Sequence, residues 1–269
     1  MSNNLRMKGK KDALNDWLDA LQMSGRYTFT RADAEREGPP VERTSFWRAQ
    51  REGRLIQPRT GFFVVVPVEY RAGGAPPAAW FIDDLMRFEQ LPYYIGLLSA
   101  ASLHDASPQA VQEFQVIVPD QRRPIRSGRL RIRFIVQSDQ QNVATEQRQT
   151  PTGSMRIATP EQTALDLVRY PLPSGGWDNI ASVIRDLAPT IDATKLGKLS
   201  RSQDDVRPMQ RLGYLFDSIA HAEEPARALA SALAARSPRY VPLDPKASTK
   251  NAPRNERWHV LMNRAIEID

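Results

Sequence analysis

The chain has no cysteine and only three histidines in 269 residues. Without cysteine there is no disulfide, no thiolate metal site and no cysteine nucleophile. His104, His221 and His259 stand far apart and show none of the spacing of a metal-ligand set. No apolar run approaches the roughly 20 residues that a membrane-spanning helix needs. The N-terminus, MSNNLRMKGKKD, lacks a signal-peptide core, so the expected location is the cytoplasm. Also missing are a Gly-rich phosphate loop, a Ser-His-Asp set and an HExxH helix. Asp105 and Glu113-Phe114-Gln115 have a faintly nuclease-like spacing, but no lysine follows in the place that chemistry needs. Asp83-Asp84 lies on a helix whose other face is apolar, so a solvated pair is expected there rather than a metal site. These absences describe a protein that binds rather than catalyses, with no cofactor and no metal.

What the chain does have is arginine. Net charge is +6, which points to an anionic partner, nucleic acid before membrane. The length allows two domains and a substantial core.

The most organised stretch runs from Arg26 to Val66. Thr30 can cap a short helix, Arg31–Glu37, with Asp33 at its third position in a weakened form of the capping box. Gly38-Pro39-Pro40 ends that helix and turns the chain. A second helix is expected over Val41–Glu52, closed by Gly53 as a left-handed cap. Strands are expected at Leu55–Gln57 and Phe62–Val66, joined by the turn tetrapeptide Pro58-Arg59-Thr60-Gly61. Before them, Leu14, Trp17, Leu18 and Leu21 give Lys10–Met23 a helical apolar face, and Tyr27–Phe29 can add a third strand. Helix, helix, turn, helix and two-stranded wing is the order of a winged helix-turn-helix, whose recognition helix enters the DNA major groove. On the Val41–Glu52 helix, Phe46, Ala49 and Gln50 share the inner face. Thr44, Trp47, Arg48 and Arg51 share the outer one, with Arg43 near the start. With Arg59 and Thr60 at the wing, these are the expected DNA-binding residues. An ordinary solvated helix and hairpin is the competing reading, and Trp47 could instead pack on the wing or on a partner domain.

Residues 67–78 (PVEYRAGGAPPA) read as a linker. Helices are then expected at Ala79–Gln90 and Pro92–Pro108, and a strand at Phe114–Val118. Arg122, Arg123, Arg126, Arg129, Arg131 and Arg133 follow without an intervening acid. Leu130, Ile132 and Phe134 alternate with the last three, giving a strand with one apolar and one basic face. That basic face is either solvated or a surface for a partner protein or nucleic acid. Gln137–Thr152 is expected as a loop and Met155–Ala158 as a strand. Thr159-Pro160-Glu161-Gln162 forms a capping box that opens a helix reaching about Tyr170, with Leu165 buried. Helical patterns follow at Trp177–Leu187, Ala193–Ser200, Asp205–Ile219 and Pro225–Arg236. Lys246–Glu256 is polar, and Trp258–Ile268 is compatible with strand or helix. The expected class is α+β: a winged helix-turn-helix over 1–66, the linker over 67–78, and a mixed α/β domain over 79–269 that ends in a helical region.

Four segments together resemble the AbiEi family: WRAQREGRLIQPRTGFFVV, YYIGLLSAASLHDASP, VIVPDQRRPIRSGRLRIRF and MRIATPEQTALDLV. They are the antitoxin halves of AbiE-type toxin–antitoxin pairs, known from phage defence. The resemblance covers about residues 10 to 190. It implies a winged helix-turn-helix that represses its own operon by binding double-stranded promoter DNA. It also implies a C-terminal antitoxin domain that counters a nucleotidyltransferase-like toxin encoded nearby. Recognition residues map onto the second helix and wing, and no catalytic set is implied. The alternative from the residues alone is a transcriptional regulator whose C-terminal domain senses a ligand or a protein.

Overall fold

The computed structural model describes residues 2–40, 43–106 and 112–268. They form two compact units whose segments alternate along the chain. The first takes Met1–Tyr93, Asp120–Ile135 and Gln147–Met155; the second takes Tyr94–Pro119, Val136–Glu146 and Arg156–Asp269.

The first unit opens with α1 (Ser2–Met23), β1 (Thr28–Thr30), α2 (Arg31–Glu37), α3 (Arg43–Arg51), β2 (Leu55–Arg59) and β3 (Phe62–Val65). Leu14, Leu18 and Leu21 recur on one face of α1 and bury against Phe29, Ala34, Ala49, Leu55, Phe63 and Val65. Phe29 stacks on Phe63 at 5.1 Å, and Phe46 of α3 reaches Phe63 at 5.5 Å. The strand order is β1-β3-β2, with Phe29 opposite Phe63 and Ile56 opposite Val64. So the third strand expected at Tyr27–Phe29 forms, shifted by one residue.

Local chemistry sets the ends of these elements. Asp33 N–H donates to Thr30 Oγ1 at 3.1 Å, and Thr30 N–H donates back to Asp33 Oδ2 at 2.8 Å. That is the capping box read from the sequence. Val41 and Glu42, the expected start of α3, lie outside the described residues. At its other end Gly53 adopts φ +70°, and Arg54 N–H closes on Ala49 O at 2.9 Å. The hairpin turn falls one residue later than Pro58–Gly61 suggests. Arg59 pairs with Phe62, and Gly61 takes φ +85°. Pro58 stays inside β2, where the register shifts between Ile56 and Arg59.

The 67–78 stretch, expected as a linker, is folded onto the module before it. Val68–Gly73 and Ala78–Trp80 are 3-10 turns, and α4 covers only Ile82–Phe88 of the expected Ala79–Gln90 helix. Trp80 packs edge-on against Tyr27 and Tyr70 at 5.0 and 5.2 Å, and Thr28 Oγ1 donates to Asp84 Oδ2 at 2.6 Å.

The chain then enters the second unit as β4 (Tyr94–Ile95), α5 (Leu97–Leu103) and β5 (Phe114–Val118). The single helix expected over Pro92–Pro108 is thus split, and its last two residues lie outside the described set. Tyr94 and Ile95 are strand formers that pair with Ile117 and Val116. A Cβ at Gly96 would fall 2.7 Å from Ile117 Cγ1, so the chain passes Ile117 closely at a residue without one. Next comes the hairpin β6 (Ile125–Ser127) and β7 (Leu130–Val136), the first unit's return. β8 (Thr145–Thr150) occupies part of the expected loop. Its sequence, TEQRQT, is polar throughout and the strand is largely exposed, so no alternation marks it. β9 (Gly153–Ala158) places Ile157 parallel to Ile95.

α6 (Pro160–Arg169) starts where Thr159 Oγ1 accepts from Gln162 N–H at 3.4 Å. Gln162 does not complete the box: its amide turns into the core instead and donates to Asp166 Oδ1 at 2.8 Å. Leu165 is fully buried. α7 (Trp177–Leu187), α8 (Ala193–Arg201), α9 (Arg207–Leu215) and α10 (Glu223–Ala234) complete the helical layer, and α9 continues into a π turn at Phe216–Ala220. The C-terminal segment forms β10 (Val241–Pro242), β11 (Arg254–Asn255) and β12 (Val260–Leu261), ordered β10-β12-β11. The strand alternative for the Trp258 region is the one taken.

Candidate functional site

α3 divides by face as its sequence does. Ala49 is 3% exposed and Phe46 packs against the core. Thr44 and Arg51 are exposed, Arg48 is half-buried, and Trp47 is 58% exposed. Trp47 therefore points out of the core. The Arg51 guanidinium lies over its ring at 4.8 Å, a cation–π contact that holds a cation and an aromatic surface side by side. Arg43 begins α3, with its side chain outside the described set. Beside α3, Phe46, Trp47, Gln50, Gln57 and Thr60 line a groove of about 270 Å³ between helix and wing. Thr60 is exposed at the wing turn.

Arg59 behaves differently from the expectation. Its Nε donates to Glu89 Oε1 at 2.7 Å, its Nη2 donates to Arg123 O at 2.7 Å, and its guanidinium lies 5.4 Å from the centre of the Phe134 ring. The side chain is turned into its own unit. The reason is Glu89, a largely buried carboxylate that attracts the nearest guanidinium more strongly than water does.

The arginine run adopts the two-faced strand read from the sequence. Ile125, Ile132 and Phe134 are buried, whereas Arg123, Arg126, Arg129 and Arg133 are exposed. Arg122 approaches Glu89 Oε2 at 3.9 Å, and Arg131 folds back to donate to Gly128 O at 2.6 Å and Leu130 O at 2.8 Å.

A polar cluster in the second unit was not found from the sequence. Tyr94 Oη lies 3.0 Å from Asp166 Oδ2 and 3.1 Å from Gln137 Oε1. Arg169 Nη1 stands 3.8 Å from Asp166 Oδ1. Asp166 is fully buried, and burial raises its pKa to about 6 against the pull of Arg169 and its hydrogen bonds. Burial and the Asp166 charge push Tyr170 up to about 12 and Tyr94 upward as well. A hydroxyl has one proton, so Tyr94 cannot donate to both acceptors. With Asp166 protonated, its carboxyl donates to Tyr94, which is then free to donate to Gln137. A cavity of about 370 Å³ adjoins, lined by Gln137, Asp139, Arg169, Tyr170, Gln203 and Asp205. The available signal was Gln162 and Asp166, a polar pair four apart on an apolar helix. Among the described residues no group of three or more His, Cys, Asp or Glu could hold a metal ion. Nor, among them, is any helix long and apolar enough to cross a membrane.

Residues 94–218 match the family described as the AbiEi antitoxin C-terminal domain. This segment belongs to the AbiEi antitoxin family. It begins where the second unit begins, and it includes the β6–β7 hairpin that packs within the first. The match supports an antitoxin role in a toxin–antitoxin system, which implies a toxin partner in general. No curated protein matches the chain. The crystal structure of the RV2827C protein from Mycobacterium tuberculosis is similar in fold. Its TM-score is 0.64 at 19% identity, over 90% of this chain and 88% of that one. That likeness supports the α+β class over nearly the whole length, AbiEi segment included.

Proposed function

We propose that the chain is a DNA-binding antitoxin that represses its own operon and counters a nucleotidyltransferase-like toxin encoded beside it, in the cytoplasm and by binding rather than catalysis. The observation that carries the DNA half is the outer face of α3. Thr44, Trp47, Arg48 and Arg51 point away from a core that Phe46 and Ala49 seal. Arginine can sit bidentate on a guanine edge or bind phosphate, and an exposed tryptophan can pack on a thymine methyl. Arg59 is not part of this surface, because Glu89 holds it. The toxin half rests on the AbiEi segment.

The test is a gel shift of the whole chain on the DNA upstream of its own reading frame. Retardation should weaken steeply with salt, by about 0.9 in log–log slope for each neutralised phosphate. No retardation at low salt would refute the DNA half. Coexpression with the neighbouring reading frame, scored by growth, tests the other half.

A second reading, a regulator that senses a small ligand, is favoured by one feature: the cavity beside Arg169 and Tyr170. A nucleotidyltransferase-like reading frame next to this one, toxic when expressed alone, decides for the antitoxin.

A further inference from the structure

We propose that β8 is a self-association edge: two copies of the chain pair their β8 strands antiparallel, about a two-fold axis centred on Gln147. This goes beyond the DNA and toxin readings and depends on neither.

The first observation is an open edge. β8 closes one end of its sheet, with β9 beside it and, among the described residues, no strand on its other side. Glu146, Gln147, Arg148 and Gln149 are all exposed. An edge strand presents a row of backbone N–H and C=O groups that template pairing with another chain, and proteins commonly blunt it with proline or lysine. Thr145–Thr150 holds neither.

The second is which backbone groups face outward. Ala144 O, at the start of β8, accepts from Thr159 N–H at 3.1 Å, so Ala144 turns its carbonyl toward the β9 side. In an antiparallel ladder these directions alternate with a period of two. Glu146 and Arg148 therefore bond inward as well, and Thr145, Gln147 and Gln149 turn their N–H and C=O groups outward. A further strand must use those three.

The third is charge. Outward groups at alternate residues restrict a central antiparallel self-pairing to three registers. Centred on Glu146, the pairing sets Glu146 against its own copy; centred on Arg148, it sets Arg148 against its own copy. Like charges directly opposite one another are destabilising. Centred on Gln147, it sets Glu146 against Arg148 of the second copy, twice, while Gln147 exchanges both backbone bonds with its own copy. The run Thr-Glu-Gln-Arg-Gln is thus self-complementary, as a two-fold contact between identical surfaces requires. A charge on an edge strand ordinarily guards against pairing. Two of opposite sign, one on each side of the axis, favour a strand of the same pattern over an arbitrary strand of another protein. One strand pair is small beside the roughly 1,200–2,000 Å² of a lasting interface, so the dimer forms with rising concentration and dissociates on dilution.

The experiment is sedimentation velocity of the full chain, free of DNA, from micromolar to near-millimolar protein. The expected result is a monomer–dimer equilibrium. Glu146→Arg should weaken the dimer by roughly tenfold, and Arg148→Glu likewise, because two pairs reverse sign together. The exchange Glu146→Arg/Arg148→Glu should restore wild-type association. All of these side chains are exposed, so thermal melting should not change. Gln147→Pro removes only an outward N–H, which an edge strand tolerates, and should leave a folded monomer. Register has its own readout, because the chain has no cysteine. Gln147→Cys places two thiols opposite each other, with Cα atoms about 5.5 Å apart and within disulfide reach, and should cross-link on mild oxidation. Gln149→Cys, which faces Thr145 of the second copy, should not. A wild-type chain that stays monomeric at the highest concentration would overturn the inference. So would a dimer indifferent to these changes, or one that the charge exchange fails to restore. A monomeric wild type whose Gln147→Pro variant folds but loses toxin binding would overturn it too, and assign the edge to the toxin.

Discussion

Asp166 is a carboxylate sealed entirely from water. Its unfolded carboxyl titrates near 3.8 and its folded one near 6. Between those values the folded chain holds a proton that the unfolded chain releases, so stability falls as pH rises through that window. The difference corresponds to about 3 kcal/mol of preference for the protonated form. Asp33, Glu37, Asp178 and Asp205 are shifted downward and act in the opposite direction. A clean readout is therefore the difference between wild type and Asp166→Asn, melted from pH 4 to pH 7. The variant's relative stability should climb by about 2–3 kcal/mol across that range. A flat difference would place the ionised carboxylate in a better-solvated site than the structure gives it. Gly213 supplies a second residue-scale test. A Cβ there would overlap the six-membered ring of Trp258, which is fully buried and fixed by its Nε1–H bond to Asp217 Oδ2 at 2.6 Å. Gly213→Ala should cost about 2–3 kcal/mol or more in urea unfolding, despite alanine's better helix propensity. Neutral or improved stability would mean that the C-terminal segment is not packed on α9.

At the scale of elements, Arg59 and Glu89 join the wing turn to the residue after α4. Arg59→Ala leaves a largely buried carboxylate without its cation and should lower stability by about 1–3 kcal/mol. Adding Glu89→Gln should recover part of that loss in thermal melts. Recovery of nothing would mean the pair is ornamental and Arg59 is free for DNA after all. What the sequence made legible follows the same logic of partners. Thr30 with Asp33, Thr159 with Gln162 N–H, and Gly53 at φ +70° are local devices, and a local pattern reveals them. The two faces of α3 and of β7 were legible because helix and strand periods separate Phe46 from Trp47 and Ile132 from Arg131. β8 was not, because a strand that is wet along most of its length carries no alternation. The split of 92–108 was not, because Tyr94 pairs with Ile117 far along the chain. The fate of Arg59 was not, because Glu89 lies thirty residues on and nothing local announces it.

For the whole molecule, the account divides two tasks between two groups of residues, the outer face of α3 for DNA and the AbiEi segment for the toxin. Arg48→Ala/Arg51→Ala removes two cations and the Trp47 contact of Arg51, but none of the buried core of α3. Alanine keeps the helix. With expression driven from a foreign promoter, neutralisation of the toxin should survive in this variant. Loss of neutralisation in a folded protein would make DNA binding part of the antitoxic mechanism. The most direct measurement is the affinity of the same variant for DNA upstream of its own reading frame, compared with wild type at one salt concentration. The account predicts at least about a tenfold loss, since each base-reading arginine is worth roughly 1–3 kcal/mol, with thermal melting unchanged. Wild-type affinity in the folded double variant would contradict it and take the reading of DNA away from α3.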